Sequence, residues 1–180
     1  GQEIKAANTE TGRIQILGKL TLKDSKGGGR IYTETEYTGS ATGYTLIETI
    51  GTFVMESGTI EAVLPDAANK GQFAVSAKDN GVVQIDGGKI EAGWYAVSTN
   101  GSNSGTSKII VNGGELISTS DFAIYGAQSK GGDSGSVEIN GGVVYGAAGG
   151  VAMKSGTLSV TGGTVTSKGQ GSTGEWGDGT

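Results

Sequence analysis

The sequence predicts an all-β chain coiled as a parallel β-solenoid, with three short strands per turn and about six turns. Three observations lead there. One phrase recurs, as VQIDGGKIEA from 83, IIVNGGELIS from 109, VEINGGVVYG from 137 and LSVTGGTVTS from 158. Like residues stand at like offsets in each copy, and the periodicity within a copy is two. A hairpin could use the Asn-Gly pairs as turns, but it has no reason to keep equivalent residues at equivalent places. A recurring unit that cannot bury its own apolar face must stack on its neighbours.

The strands follow from aligning each copy on its last glycine: Gly29, Gly58, Gly88, Gly114, Gly142 and Gly163, spaced by 29, 30, 26, 28 and 21 residues. Over the last five copies, the residue five before the anchor is Phe53, Val83, Ile109, Val137 or Leu158, and the residue three before is Met55, Ile85, Val111, Ile139 or Val160. Two after it come Ile60, Ile90, Leu116, Val144 and Val165. All fifteen are apolar and the residues between them are mostly polar, so each copy carries two strands with one buried face. A third strand precedes the pair, as YTLIE from 44, FAVSA from 73, YAVST from 95, FAIYG from 122 and VAMKS from 151. Its inward column is expected to be Leu46, Val75, Val97, Ile124 and Met153. A leucine-rich repeat has a similar period but needs a helical return, and no segment here has 3.6-residue periodicity.

Stacked turns about 4.8 Å apart make a rod on the order of 30 Å long. At the turns, Glu56, Asp86, Asn112, Asn140 and Thr161 stand two before the anchors. Stacking sets Asn112 against Asn140 as a side-chain amide ladder that serves turn backbone.

The length, 180 residues, suits one domain, and 36 Gly against one Pro describes a chain rich in sharp turns. Residues 1–43 read as irregular first turns with a polar insertion, in which Ile14, Ile16, Leu20, Leu22 and Ile31 have strand spacing. Residues 44–168 are the regular repeats, and 169–180 have linker composition, with Trp176 placed to fold over the last turn. Excursions at LPDAANKG from 64, NGSNSGTS from 100 and AQSKGGDSGS from 127 are loops on a rigid scaffold. The composition reads as a piece of a longer protein.

Several functions are disfavoured by residue type. The net charge of −5 offers no basic stripe to phosphates, so no nucleic-acid partner is expected. No run approaches the roughly eighteen apolar residues of a membrane span, so no membrane insertion is expected. Cysteine and histidine are both absent, which excludes thiolate and imidazole chemistry and leaves proton transfer to carboxylates, Lys or Tyr. No cofactor is implied.

The segments LTLKDSKGGGRIYT, GTFVMESGTIEA and VNGGELIS resemble right-handed parallel β-helix repeats of large surface proteins of Gram-positive bacteria, and the fold they imply is similar to that of pectate lyases. The resemblance covers residues 14 to 167. It implies an adhesin-like, non-catalytic module, outside the cell, wall-anchored or secreted. Such a module presents the rod to a host glycan or a host protein such as a mucin or an immunoglobulin, and is a monomer within its longer chain. Such repeats also occur in tailspikes and polysaccharide-cleaving enzymes. The polygalacturonase pattern of Asn-Thr-Asp, Asp-Asp, Gly-His-Gly and Arg-Ile-Lys is missing. The lyases' basic arginine has only Arg13 and Arg30 as counterparts, and both are expected to lie away from the acid pairs.

Those acid pairs are Glu61 with Glu91, and Glu56 with Asp86, each at one outward offset on adjacent turns and therefore roughly 5 Å apart. That separation suits a retaining glycosidase, and hard oxygen ligands suit calcium. Lys89 and Lys70 lie near enough in sequence to neutralise them, and the bland reading is a solvated ladder. No catalytic residue and no metal ligand is therefore assigned. The binding candidates are Trp94, Tyr125 and Tyr145, aromatic rings predicted to face outward, together with Glu61 and Glu91. Phe73, Tyr95 and Phe122 are expected in the core. An ice-binding face would need repeated Thr-x-Thr, which only Thr164 and Thr166 supply. A passive spacer is the remaining alternative.

Overall fold

The computed structural model describes residues 1–6, 13–34, 44–64, 72–99, 105–126 and 135–168, with residue 44 described in its backbone alone. Strand β1 (Glu3–Lys5) is followed by successive triplets. These are β2 (Ile14–Ile16), β3 (Lys19–Leu22) and β4 (Arg30–Tyr32), then β5 (Tyr44–Thr49), β6 (Thr52–Met55) and β7 (Thr59–Ala62). Next come β8 (Gln72–Ala77), β9 (Val82–Ile85) and β10 (Lys89–Ala92), then β11 (Val97–Ser98), β12 (Lys108–Val111) and β13 (Glu115–Ser118). The last are β14 (Phe122–Gly126), β15 (Ser136–Ile139) and β16 (Val143–Gly146), and β17 (Gly149–Met153), β18 (Thr157–Val160) and β19 (Thr164–Ser167).

Three parallel sheets result. Sheet A runs β1-β4-β7-β10-β13-β16-β19, sheet B runs β2-β5-β8-β11-β14-β17 and sheet C runs β3-β6-β9-β12-β15-β18. The fold is the expected all-β parallel solenoid with three strands per turn. Val111 pairs directly with Ile139, and Ile90 lies between Ile60 and Leu116, so equal offsets in the sequence are neighbours in space. From β5 to β16 the inward residues of sheets A and C are sealed: Phe53, Met55, Ile60, Ile85, Ile109, Leu116 and Ile139 are all fully buried. These make about four enclosed turns, fewer than the six expected, because β2 and β3 at one end and β17, β18 and β19 at the other have a neighbour on one side only. Leu20 is 40% exposed at one end, and Leu158 and Val160 are 46% and 54% exposed at the other.

The corner between sheets C and A shows why glycine recurs. Gly142 has φ of +79°, a region that L side chains avoid. A Cβ on Gly141 would stand 2.3 Å from the Asn112 carbonyl oxygen of the coil beside it. The first coil differs, since Gly29 lacks a positive φ while Gly27 and Gly28 have one. There the Asp24 carboxylate accepts from the backbone N–H of Gly29 at 2.7 Å and of Gly27 at 2.9 Å and organises the wider corner.

Sheet B corrects two expectations of register. The inward column is Ile14, Ile47, Val75, Val97, Ile124 and Val151, so Ile47 replaces Leu46 and Val151 replaces Met153. Leu46 and Ile47 are both fully buried in one core cluster, as are Ala74 and Val75, Ala96 and Val97, and Ala123 and Ile124. Strict alternation therefore fails at the entry to this sheet. In the last coil only Ala147 and Ala148 separate β16 from β17, so the strand starts at Gly149 and Met153 arrives too late, opposite Gly126.

Phe73 and Tyr95 are buried, but not in the central core. They join Trp94 and Tyr125 in a second cluster, with Phe122 packed against it. The small Ala74, Ala96 and Ala123 occupy the main core beside them. The long excursions and the tail with Trp176 lie largely or wholly outside the described residues.

Candidate functional site

The outer face of sheet A carries two side-chain rows. Three residues after each glycine anchor stand Tyr32, Glu61, Glu91, Ile117, Tyr145 and Thr166, and strand pairing puts them in one continuous line. Two residues nearer the anchor in each strand, a second line holds Arg30, Thr59, Lys89, Glu115, Val143 and Thr164. Inward Ile60, Ile90, Leu116 and Val144 alternate with the first line, so a period of two fixes its outward direction.

Charge on this face runs from β1 to β13 and is absent from β16 and β19. Glu61 Oε2 lies 3.3 Å from Arg30 Nη1, and the Arg30 Nε lies 2.7 Å from Glu3 Oε1. The same guanidinium sits 4.1 Å from the Tyr32 ring centroid. Glu91 Oε2 is 2.6 Å from Lys89 Nζ. The hydrogen bond that the Lys89 ammonium donates to Glu91 lifts it above its ordinary value; burial opposes this, while the charges of Glu91, Glu115 and Glu61 add to it. Beyond Glu91 the first line turns apolar and hydroxylic with Ile117, Tyr145 and Thr166, and the second line with Val143 and Thr164.

Three of the five sequence candidates, Glu61, Glu91 and Tyr145, thus share one row. Glu61 and Glu91 are in direct register, while Ile117 separates Glu91 from Tyr145. The expectation that Arg30 lies away from the acids is corrected, because β4 pairs with β7 and Arg30 bonds Glu61. Lys70 lies outside the described residues. Glu56 and Asp86 do not act as a pair: Glu56 is 2.8 Å from Lys23, and Asp86 accepts from Gln84 and Asn112. Among the described residues, no group of three or more carboxylates is gathered where a metal ion could be held.

Trp94 and Tyr125 belong elsewhere. They lie at sheet B and are only 8% and 6% exposed, which corrects their assignment as open aromatic faces. Tyr95 stacks between Phe73, at 4.9 Å, and Tyr125, at 4.5 Å, while Trp94 lies 4.9 Å from Tyr95. The Trp94 indole donates to Asp121, and Lys154 Nζ is 5.9 Å from the Tyr125 centroid. Burial, with Asp121 nearby, pushes the Tyr95 phenol well above its ordinary value. Phe73, Tyr95 and Tyr125 form a closed column one coil apart at each step, with Trp94 beside Tyr95 in the same coil.

Sequence reasoning missed three features. Tyr32, Arg30 and Ile117 were readable from the offset after each glycine anchor. The buried Glu48, paired with Lys78 at 2.6 Å and Arg13 at 3.3 Å, was not, because its strand register depends on a segment with no motif. Nor was the aromatic column, whose members sit at unequal offsets. Comparison of the chain with family models, curated proteins and solved structures gives no match.

Proposed function

We propose that the chain is a non-catalytic binding module of the adhesin type, displayed on a bacterial surface and wall-anchored or secreted. The outer face of sheet A engages a host glycan or host protein. One observation carries this reading: Tyr32, Glu61, Glu91, Ile117 and Tyr145 stand side by side on a regular sheet. The two tyrosines bracket a strip about 19 Å long, four strand spacings of about 4.8 Å. Aromatic rings at the ends of such a strip stack on sugar rings or anchor a protein surface, and carboxylates between them accept hydrogen bonds from hydroxyls or amides. The likeness of the repeats to β-helix segments of Gram-positive surface proteins supports the same reading. Trp94 and Tyr125 act behind this role, as a brace for sheet B.

The test is an array of host glycans and host proteins probed with the whole chain. Tyr32→Ala and Tyr145→Ala are each expected to weaken the captured ligand by about tenfold or more, the scale of an aromatic hot spot. Unchanged binding by both variants overturns the choice of face, and capture of nothing at all favours a spacer. The register of Glu61 with Glu91, about 5 Å apart, also fits a retaining glycosidase. Turnover of a polysaccharide panel that disappears in both Glu61→Gln and Glu91→Gln would establish that second reading instead.

A further inference from the structure

Asn112 and Asn140 are each followed by a glycine, Gly113 and Gly141, at the corner between sheets C and A. An Asn-Gly pair carries its own electrophile and nucleophile, because glycine has no side chain to keep its nitrogen away from the asparagine Cγ. Both asparagines are exposed, so burial does not protect them. What holds them is the adjacent coil. The N–H groups of Asn112 and Gly113 both donate to the Ile85 carbonyl oxygen, at 2.7 and 3.2 Å, and those of Asn140 and Gly141 both donate to that of Val111, at 2.7 and 3.2 Å. Two donors on one acceptor fix the peptide plane between Asn and Gly. Space is short as well, since a Cβ on Gly113 would stand 2.5 Å from the Asp86 carbonyl oxygen. The amides themselves are tied along the stack: Asn112 donates to Asp86, Asn140 donates to Asn112, and Thr161 donates to Asn140.

We propose that Asn112 and Asn140 are sites of self-deamidation that coil stacking keeps closed, and that a corner which opens is converted there to aspartate or isoaspartate, with water as the only co-reactant. The Gly113 nitrogen forms a bond to Asn112 Cγ, the Cγ–Nδ2 bond breaks, and the amide nitrogen leaves as ammonia with the proton that the Gly113 nitrogen gives up. Water then opens the resulting succinimide. Addition at Cγ gives aspartate, and addition at the main-chain carbonyl carbon gives isoaspartate, in which the chain runs through Cβ and Cγ. Nothing is oxidised or reduced, and Asn140 with Gly141 follows the same course. Either product works against restacking. A carboxylate at position 112 faces Asp86 and has no donor to offer it, while isoaspartate lengthens the main chain at a corner that has no room for it. The conversion is therefore one-way, and a local opening of the coil leaves a covalent mark.

Peptide mapping by mass spectrometry of the full chain, held at mildly alkaline pH in native buffer or in concentrated urea, tests this. Conversion at both sites is expected to be at least about tenfold slower in native buffer, because the reaction there waits on an opened state that is a small minority. Two variants each loosen one rung at an exposed side chain: Asp86→Ala removes the acceptor of the Asn112 amide, and Thr161→Val removes the donor to Asn140 Oδ1. In native buffer the first should speed conversion of Asn112 and the second that of Asn140, severalfold and more than at the other site, with circular dichroism checking that the fold persists. Chain converted in urea should melt at a lower temperature, once the urea is removed, than chain passed through acidic urea, where the asparagines survive. Equal rates in native buffer and urea overturn the proposal. So do rates that neither variant changes, or a converted chain that melts as the unconverted one does.

Discussion

Asn140 donates its side-chain Nδ2–H to Asn112 Oδ1 at 2.9 Å, one coil away, and Asn112 in turn donates to Asp86 Oδ1 at 2.7 Å. Thr161 Oγ1 feeds the same line from the other side, 2.7 Å from Asn140 Oδ1. The ladder is therefore directional. Every donor points toward Asp86, a carboxylate that accepts without needing to donate. It runs along the corner where Gly-Gly pairs bring neighbouring backbones too close for side chains, so it ties together turns that have little apolar surface of their own.

Asn112→Asp reverses the logic of that line by setting a second carboxylate against Asp86 and removing the donor between them. We expect a loss of about 1–2 kcal/mol in neutral, low-salt buffer, the scale of one hydrogen bond plus a like-charge contact. The loss should shrink in acid, where a proton shared by the pair restores the donor, and in high salt, which screens an exposed pair. Urea midpoints at two pH values and two salt concentrations check this. A deficit insensitive to both would mean that the side chain acts only through shape.

Glu48 is expected to make sheet B sensitive to acid. Its side chain is 4% exposed, and Lys78 Nζ at 2.6 Å, Arg13 Nη2 at 3.3 Å and Gln15 Nε2 at 3.2 Å surround it. Burial pushes the carboxyl upward. The hydrogen bond and charge of Lys78, the charge of Arg13 and the amide of Gln15 outweigh it and hold the group below its ordinary value. A carboxyl lowered on folding contributes stability above its unfolded pKa, and that contribution is lost as pH falls through the folded value. Glu48→Gln should therefore cost about 1–3 kcal/mol near neutrality. The gap from wild type should close on acidification, read as urea midpoint against pH. A gap that widens in acid would reverse the sign of the argument.

Glycine at the corners is replaceable or not according to position. Gly142→Ala forces a positive φ, costing about 1–2 kcal/mol, and its Cβ would also stand 2.6 Å from the Gly114 carbonyl oxygen. Gly18→Ala has no positive φ and meets nothing within 4 Å. The first should lower the melting temperature by several degrees and the second should leave it unchanged or slightly higher. Equal effects would show that the Gly-Gly corner is not what limits coil spacing.

The residues that were readable in advance are those whose neighbours are their own equivalents. Val111 meets Ile139 and Asn112 meets Asn140 because a parallel stack turns equal offset into contact. The row from Tyr32 to Tyr145 belongs to the same class, and it lay open to the same alignment even though only Glu61, Glu91 and Tyr145 were drawn from it. Arg30 belongs to that class too: it follows the Gly29 anchor as Thr59 follows Gly58, so its place beside Glu61 lay in the same alignment.

By itself the sequence determined the coil, the inward columns of sheets A and C, and the amide ladder, because all three repeat with the glycine anchor. The tertiary structure alone decided the register of sheet B, the enclosure of Glu48 by Arg13 and Lys78, and the withdrawal of Trp94 and Tyr125 into an aromatic column. The physical reason is that every approach to sheet B crosses a connection of different length. Where the path between coils varies, alignment on a fixed offset no longer says which side chain faces which, and only packing resolves it.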